Sequence, residues 1–286
     1  MEIYRIPELF RNTQGFYPLE ASAGGIKLYH SEVDTIKANV QLTHNLLVFV
    51  LEGRKRIYHR DGVYEVNAFE GAFLKKGSYL MSEKRSADNH YKAVLFCFNQ
   101  EVAHEAISVP HAKPSAGSVH FINHTASLET LLTKVVLQLS TSQIEDTSVL
   151  TKNSVSQLLV HICKTDALLA NIIAEQTEDH DKALRDVMDN HFTEALPLQQ
   201  LAFLSGHSLA SFKRQAEKLL GTSPHRWIRN KRLELARQLV ESGETAIADI
   251  GYAVGYINTS HFIKLFKEAF GQTPQALRQI KAIKEI

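Results

Sequence analysis

Small, polar and basic side chains gather at two matched positions in the C-terminal third of the chain. The first set is Ala210, Ser211, Lys213, Arg214 and Glu217; the second is Thr259, Ser260, Ile263, Lys264 and Lys267. Lysine and arginine pair with phosphate oxygens, and an arginine fork or a short hydroxyl can reach donors and acceptors on base edges. Such side chains near the start of a helix suit the major groove of a duplex. The competing reading is an ordinary solvated helix face, which also carries Lys and Arg. Duplication favours the first reading over the second.

The elements that must position these side chains are themselves written twice. One copy runs Leu198-x-x-Leu201-Ala202, Gly206, Phe212, Gly221, Ser223-Pro224. The other runs Ile247-x-x-Ile250-Gly251, Gly255, Phe262, Gly271, Thr273-Pro274. The offset is 49 residues through the first glycine and 50 from the phenylalanine onward. Each copy predicts helix, glycine turn, helix. Gly206 and Gly255 can take positive φ in the turn, and Ser208 and Asn258 can cap the helix that follows. Phe212, Ala216 and Leu220, and likewise Phe262, Phe266 and Phe270, share an inner face. Gly221 and Gly271 end these helices, and Ser223-Pro224 and Thr273-Pro274 start new ones with a cap and an N1 proline. This is helix-turn-helix grammar. A helix from Pro224 to about Glu241, carrying Arg226, Arg229, Lys231, Arg232 and Arg237, joins the copies. It would space two recognition helices for successive major grooves.

The segment from Ser208 through Phe212-Lys213-Arg214, Gly221-Thr222-Ser223-Pro224 and Trp227-Ile228 to Lys231-Arg232-Leu233 resembles the AraC/XylS family of bacterial transcription regulators. So does the stretch Ile247-Ala248-Asp249-Ile250, Gly255-Tyr256, Ser260-His261-Phe262, Phe270-Gly271-Gln272-Thr273-Pro274 and Arg278. The resemblance implies double-stranded promoter DNA as partner and activation through contact with RNA polymerase. It implies that Ala210, Lys213 and Arg214 face bases from the first unit, and Thr259, Ser260, Ile263 and Lys264 from the second. The chain departs from the family pattern at Ala216, where phenylalanine is frequent, at Gly251, where alanine is usual, and at Ala276-Leu277-Arg278. Ala210 offers no hydrogen bond, so base reading by the first unit rests mainly on Lys213 and Arg214.

The rest of the chain has a different grammar. Leu46–Leu51, Arg56–His59, Val63–Val66, Ala72–Tyr79 and Tyr91–Phe98 read as short strands, with hairpin and turn signals at Gly53, Asp61-Gly62 and Glu70-Gly71. Their spacing predicts a sandwich or barrel. Pro110, Pro114, Ser115, Gly117 and Ser118 read as linker. Leu128, Leu131, Leu132, Val135, Val136 and Leu139, then Val155, Leu158, Leu159 and Ile162, and further on Leu169, Ile172 and Ile173, fall at helical spacing, with a connection near Ser140–Thr147. Such helices either cover the barrel or pair with a second copy. Glu178-Asp179-His180-Asp181 suits a linker entering a helix. The predicted class is α+β, and the family resemblance implies a cupin-like sensor domain over 1–126, a helical dimerisation connector over 127–177 and an all-α double helix-turn-helix domain over 178–286. Glu70–Tyr79 is similar to the type III secretion activator branch of the family. The family resemblance implies a homodimer through the connector helices, and an effector that is a small molecule or a partner protein, its identity unknown.

Composition bounds the alternatives. With 44% hydrophobic and 22% charged residues over 286 positions, the chain is globular, not disordered or collagenous. Cys97 and Cys163 read as reduced, buried thiols. No secretory leader and no membrane-length apolar run occurs, so the expected location is cytoplasmic, with no membrane partner. A barrel could instead be a small-molecule binder or a metal enzyme. However, His30, His44, His59, His90, His104, His111, His120 and His124 form no HxH pair, and no nucleotide or hydrolase fingerprint occurs, so neither enzyme, cofactor nor metal is expected. His44, Tyr58, His90 and Tyr91 could line an effector pocket or be ordinary strand residues. The net charge of +1 hides an asymmetry. Residues 191–286 hold 13 Lys and Arg against 8 Asp and Glu, hence +5, leaving −4 for the remainder.

Overall fold

The coordinates are a computed structural model that describes residues 2–19, 23–106, 117–122, 125–141, 148–174, 180–243 and 245–284. Pro110, His111, Pro114, Ser115, His124, Glu178 and Asp179, and residues 142–147 of the helical connection, lie outside the described residues. The chain divides into two compact units, Met1–Asp179 and His180–Ile286, and the architecture is α+β.

The first unit holds strands β1 (Tyr4–Ile6), β2 (Phe16–Pro18), β3 (Gly24–Ser31), β4 (Thr35–Leu42), β5 (Asn45–Glu52), β6 (Arg54–His59), β7 (Gly62–Asn67), β8 (Gly71–Leu74), β9 (Gly77–Lys84), β10 (Tyr91–Phe98) and β11 (Val119–Ile122). Its helices are α1 (Gln100–Ala106), α2 (Ala126–Thr141), α3 (Ser148–Thr165) and α4 (Ala167–Ala174). The strands form two sheets, ordered β1-β4-β9-β6-β7 and β11-β8-β5-β10-β3-β2.

Strand β5 shows why the layers stack as they do. Leu46, Val48 and Val50 pack with Val40, Ile57 and Met81 of the other sheet. Leu47 and Phe49 point the opposite way, into Leu132, Leu158 and Ile162 of the helices. A strand covered on both faces gains nothing from polar alternation, so Leu46–Leu51 is apolar throughout. The helices are thus a third layer on the six-stranded sheet. Their periodic face, including Leu128, Val135, Leu139 and Val155, is buried within this unit. Leu137, Val149 and Leu168 stay exposed.

The hairpin between β6 and β7 turns at Arg60-Asp61, one residue earlier than the Asp61-Gly62 signal, because Gly62 already pairs with His59. Asp61 accepts from His59 Nδ1 at 2.6 Å and from the Ser118 amide at 2.7 Å, tying the turn to the start of β11. Burial opposes ionisation of this carboxyl, but those donors outweigh it and hold its pKa at about 2.

The second unit holds α5 (His180–His191), α6 (Leu198–Leu204), α7 (Leu209–Leu220), α8 (Pro224–Ser242), α9 (Ile247–Ala253), α10 (Thr259–Phe270) and α11 (Pro274–Lys284). Leu233, Ala236, Val240, Ile250, Val254, Phe262 and Phe266 form the core that packs α8, α9 and α10 together. Among the described residues, no helix is long and apolar enough to cross a membrane.

Candidate nucleic-acid interface

The two helix-turn-helix units form as the spacing predicts, and the local reasons are visible. Gly206 (φ 74°) and Gly255 (φ 93°) turn the chain after α6 and α9. Ser208 Oγ accepts the Ser211 amide at 3.3 Å, and Asn258 Oδ1 accepts the His261 amide at 2.9 Å. These caps satisfy amides that a helix start leaves without partners. Gly221 (φ 69°) and Gly271 (φ 75°) close α7 and α10 in the left-handed conformation. Pro224 then opens α8 at its first turn. Thr273 caps α11 through its hydroxyl, whereas Ser223 makes no side-chain cap.

The faces of α7 and α10 divide as follows. Phe212 and Ala216 are fully buried, as are Phe262 and Phe266. Leu220 and Phe270, at the ends of these faces, are half-buried. Ala210, Lys213, Arg214 and Glu217 are exposed on α7, with Ser211 half-buried. Ser260, Lys264 and Lys267 are exposed on α10, with Thr259 half-buried. Ile263 differs from the expectation of an outward residue: it is half-buried and packs against the core of this half. Each helix thus brings exposed basic side chains together on one solvent face within its first three turns. Lys264 lies 4.0 Å from Glu268, an exposed pair worth little in water.

Two features of this unit were not legible in the sequence. Ser211 receives a hydrogen bond from Gln215 Nε2 at 3.0 Å, and His207 Nε2 lies 3.0 Å from Gln215 Oε1. The turn and the N-terminal half of α7 are therefore tied together by side chains. The second feature is Arg232. Read with the other basic residues of the connector, it instead reaches inward from α8. Its guanidinium donates to the carbonyls of Gly255 at 2.9 Å and Glu194 at 2.8 Å, and also to that of Phe192. It sits 5.7 Å from the Tyr256 ring centroid, and burial lowers its pKa. One side chain thus clamps the loop after α5 and the turn of the second helix-turn-helix to the helix joining both. Gly255 is needed here twice over. Besides its positive φ, a Cβ would come 2.3 Å from the Thr193 carbonyl oxygen. Gly251 also has a packing reason, since a Cβ there would meet the Phe262 ring at 3.0 Å.

The first unit contains a cavity of about 520 Å³ lined by Tyr4, Phe10, Tyr29, Lys55, Glu83 and Leu95 among others. At its wall, Lys55 Nζ donates to Glu83 Oε1 at 2.5 Å, and the Tyr29 hydroxyl donates to Glu83 Oε2 at 3.1 Å. Burial, with the Glu83 charge, raises the Tyr29 pKa. None of His44, Tyr58, His90 and Tyr91 lines this cavity; Tyr91 is buried with Lys55 Nζ 5.6 Å from its ring.

Two helix-turn-helix units, each with a capped second helix and an exposed basic face, define a double helix-turn-helix protein. Residues 196–280 match the family model described as a helix-turn-helix domain, and residues 45–172 match the ExsA N-terminal regulatory domain. Over these two stretches the chain is similar to transcription regulators of the AraC family. It is 30% identical over 116 residues to the HTH-type transcriptional activator RhaS of Escherichia fergusonii, covering 40% of this chain and 42% of that protein. Over 114 residues it is 29% identical to the HTH-type transcriptional regulator ExsA of Pseudomonas aeruginosa, covering 40% and 41%. The chain therefore spans less than half the length of these curated relatives. Among solved structures, an apo form of ToxT from Vibrio cholerae is 15% identical, with a TM-score of 0.42 over 88% of this chain and 95% of that one.

Proposed function

We propose that this chain is a sequence-specific DNA-binding transcription activator and not an enzyme. Its DNA-binding domain, over residues 178–286, reads double-stranded promoter DNA with α7 and α10. Ala210, Ser211, Lys213 and Arg214 serve the first groove; Thr259, Ser260, Ile263, Lys264 and Lys267 serve the next. The observation that carries this reading is the duplication of a capped helix with an exposed basic face on one clamped frame. Half-buried Ile263 fits an apolar contact to a thymine methyl at the groove edge better than a free outward side chain would. The N-terminal domain, over 1–126, is the sensor, and the helices over 127–177 carry the homodimer contact. Because the inner face of those helices is occupied, the contact falls to exposed Leu137, Val149 and Leu168. A small-molecule effector is supported by the cavity beside Lys55 and Glu83; a protein effector is the alternative. RNA polymerase is the downstream partner, and the cytoplasm is the site of action.

The test is a binding assay on DNA fragments selected from a genomic pool, repeated across salt concentrations. The expected result is specific binding with a negative salt slope that Lys213→Ala and Lys264→Ala each make shallower by about one. An absence of binding, or variants that leave both affinity and base preference unchanged, rejects the assignment.

A further inference from the structure

Two imidazoles and a carboxylate meet at one end of the six-stranded sheet. His30 lies in β3 and Glu32 follows that strand by one residue, so the two share a face under strand periodicity. The register pairs Lys92 with His30 and Tyr91 with Ser31, which brings His90 alongside from the turn before β10. His30 Nε2 and His90 Nδ1 are 3.1 Å apart, with ring centroids at 5.2 Å. The ligand atoms of His30, Glu32 and His90 all lie within 4.8 Å of one another.

We propose that His30, Glu32 and His90 bind a divalent transition-metal ion of the zinc type. Zinc–nitrogen bonds of about 2.0–2.1 Å at a tetrahedral centre put two imidazole nitrogens roughly 3.3–3.4 Å apart. The observed pair needs to open by only a few tenths of an ångström. Two nitrogens and one carboxylate oxygen suit zinc, nickel or copper, whereas calcium and magnesium favour oxygen-only shells. Two neighbouring cations are already engaged. Lys92 Nζ lies 2.6 Å from Glu52, and Arg85 binds Asp34 at 3.1 Å and the Glu32 carbonyl at 2.9 Å. His30 has the strand parity of Ile26 and Leu28, which pack toward the helix layer. The ion therefore sits on the outer face of the sheet, outside the sandwich cavity, with one coordination position open to solvent. There it ties the end of β3 to the turn joining β9 and β10.

Zinc titration of the tag-free full chain by calorimetry tests this, with cobalt absorption as a report on the ligand set. One ion per chain should bind, and His30→Ala and His90→Ala should each weaken it at least tenfold, about 1.4 kcal/mol. Glu32→Gln should weaken it less, and excess magnesium should not compete. All three positions are at or near the surface, so circular dichroism should be unchanged in the variants. Equal zinc binding by wild type and the His30→Ala/His90→Ala double variant, or no binding by wild type, overturns the site. DNA binding by the other unit does not enter this readout, so neither proposal falls with the other.

Discussion

Replacing Arg232 with alanine should destabilise the second unit far more than removing any other basic residue of α8. Its guanidinium donates to three backbone carbonyls, those of Phe192, Glu194 and Gly255. A hydrogen bond from a charged group contributes roughly 1.5–3 kcal/mol. The side chain is half-buried, so water reaches part of the vacated site, and the sum reduces to about 3 kcal/mol. Lysine offers one compact donor in place of a planar fork, so Arg232→Lys should recover no more than about 1 kcal/mol. The chain's single tryptophan, Trp227, lies in α8 with its ring 6.4 Å from Phe192, so its emission reports this unit selectively. With a urea slope of about 2 kcal/mol per molar, the midpoint should fall by about 1.5 M. Arg237→Ala is the control. Arg237 binds Glu241 at 2.9 Å but is 47% exposed, so its loss should leave the urea midpoint almost unchanged. A midpoint shift below about 0.3 M for Arg232→Ala, or full recovery by lysine, would refute the clamp. Loss of the clamp should also weaken DNA binding without altering base preference, since it touches no reading side chain.

Three further outcomes follow from the same geometry. Gly255→Ala should destabilise the unit by more than 2 kcal/mol, roughly the sum of a left-handed backbone cost and the clash with Thr193; an unchanged urea midpoint would count against it. Ser208→Ala and Asn258→Ala should each cost about 1 kcal/mol by the same fluorescence measurement, and an effect below about 0.3 kcal/mol would mean the caps are idle. Asp61 has a folded pKa of about 2, below the 3.8 of an ordinary aspartate. Its contribution is therefore complete above pH 3.8 and lost as pH falls through about 2. Asp61→Asn should cost up to about 2 kcal/mol at neutral pH and flatten the acid limb of stability below pH 4, read by tyrosine near-UV circular dichroism; parallel pH curves for variant and wild type would contradict this.

The sequence by itself determined the duplicated unit almost completely. Caps, positive-φ glycines and N1 prolines act within a few residues of themselves, so Ser208, Gly221, Asn258 and Gly271 declare their conformations locally. The apolar faces of α7 and α10 follow from helical period alone. Periodicity could not decide where the faces of α2 and α3 would go, because an apolar stripe fits a sheet as well as a second helix. The sheet took them, since Leu47 and Phe49 on β5 leave a second apolar face that must be covered. Tertiary structure alone also decided the roles of side chains whose partners are remote in the chain. Arg232 reads as one more basic residue until the fold brings the Gly255 carbonyl to it across 23 residues. His30 and His90 form no motif at a separation of 60 residues, yet the β3–β10 register sets them side by side. Local conformation is encoded by neighbours in the chain, whereas a clamp or a ligand set depends on long-range strand and helix packing that spacing does not record.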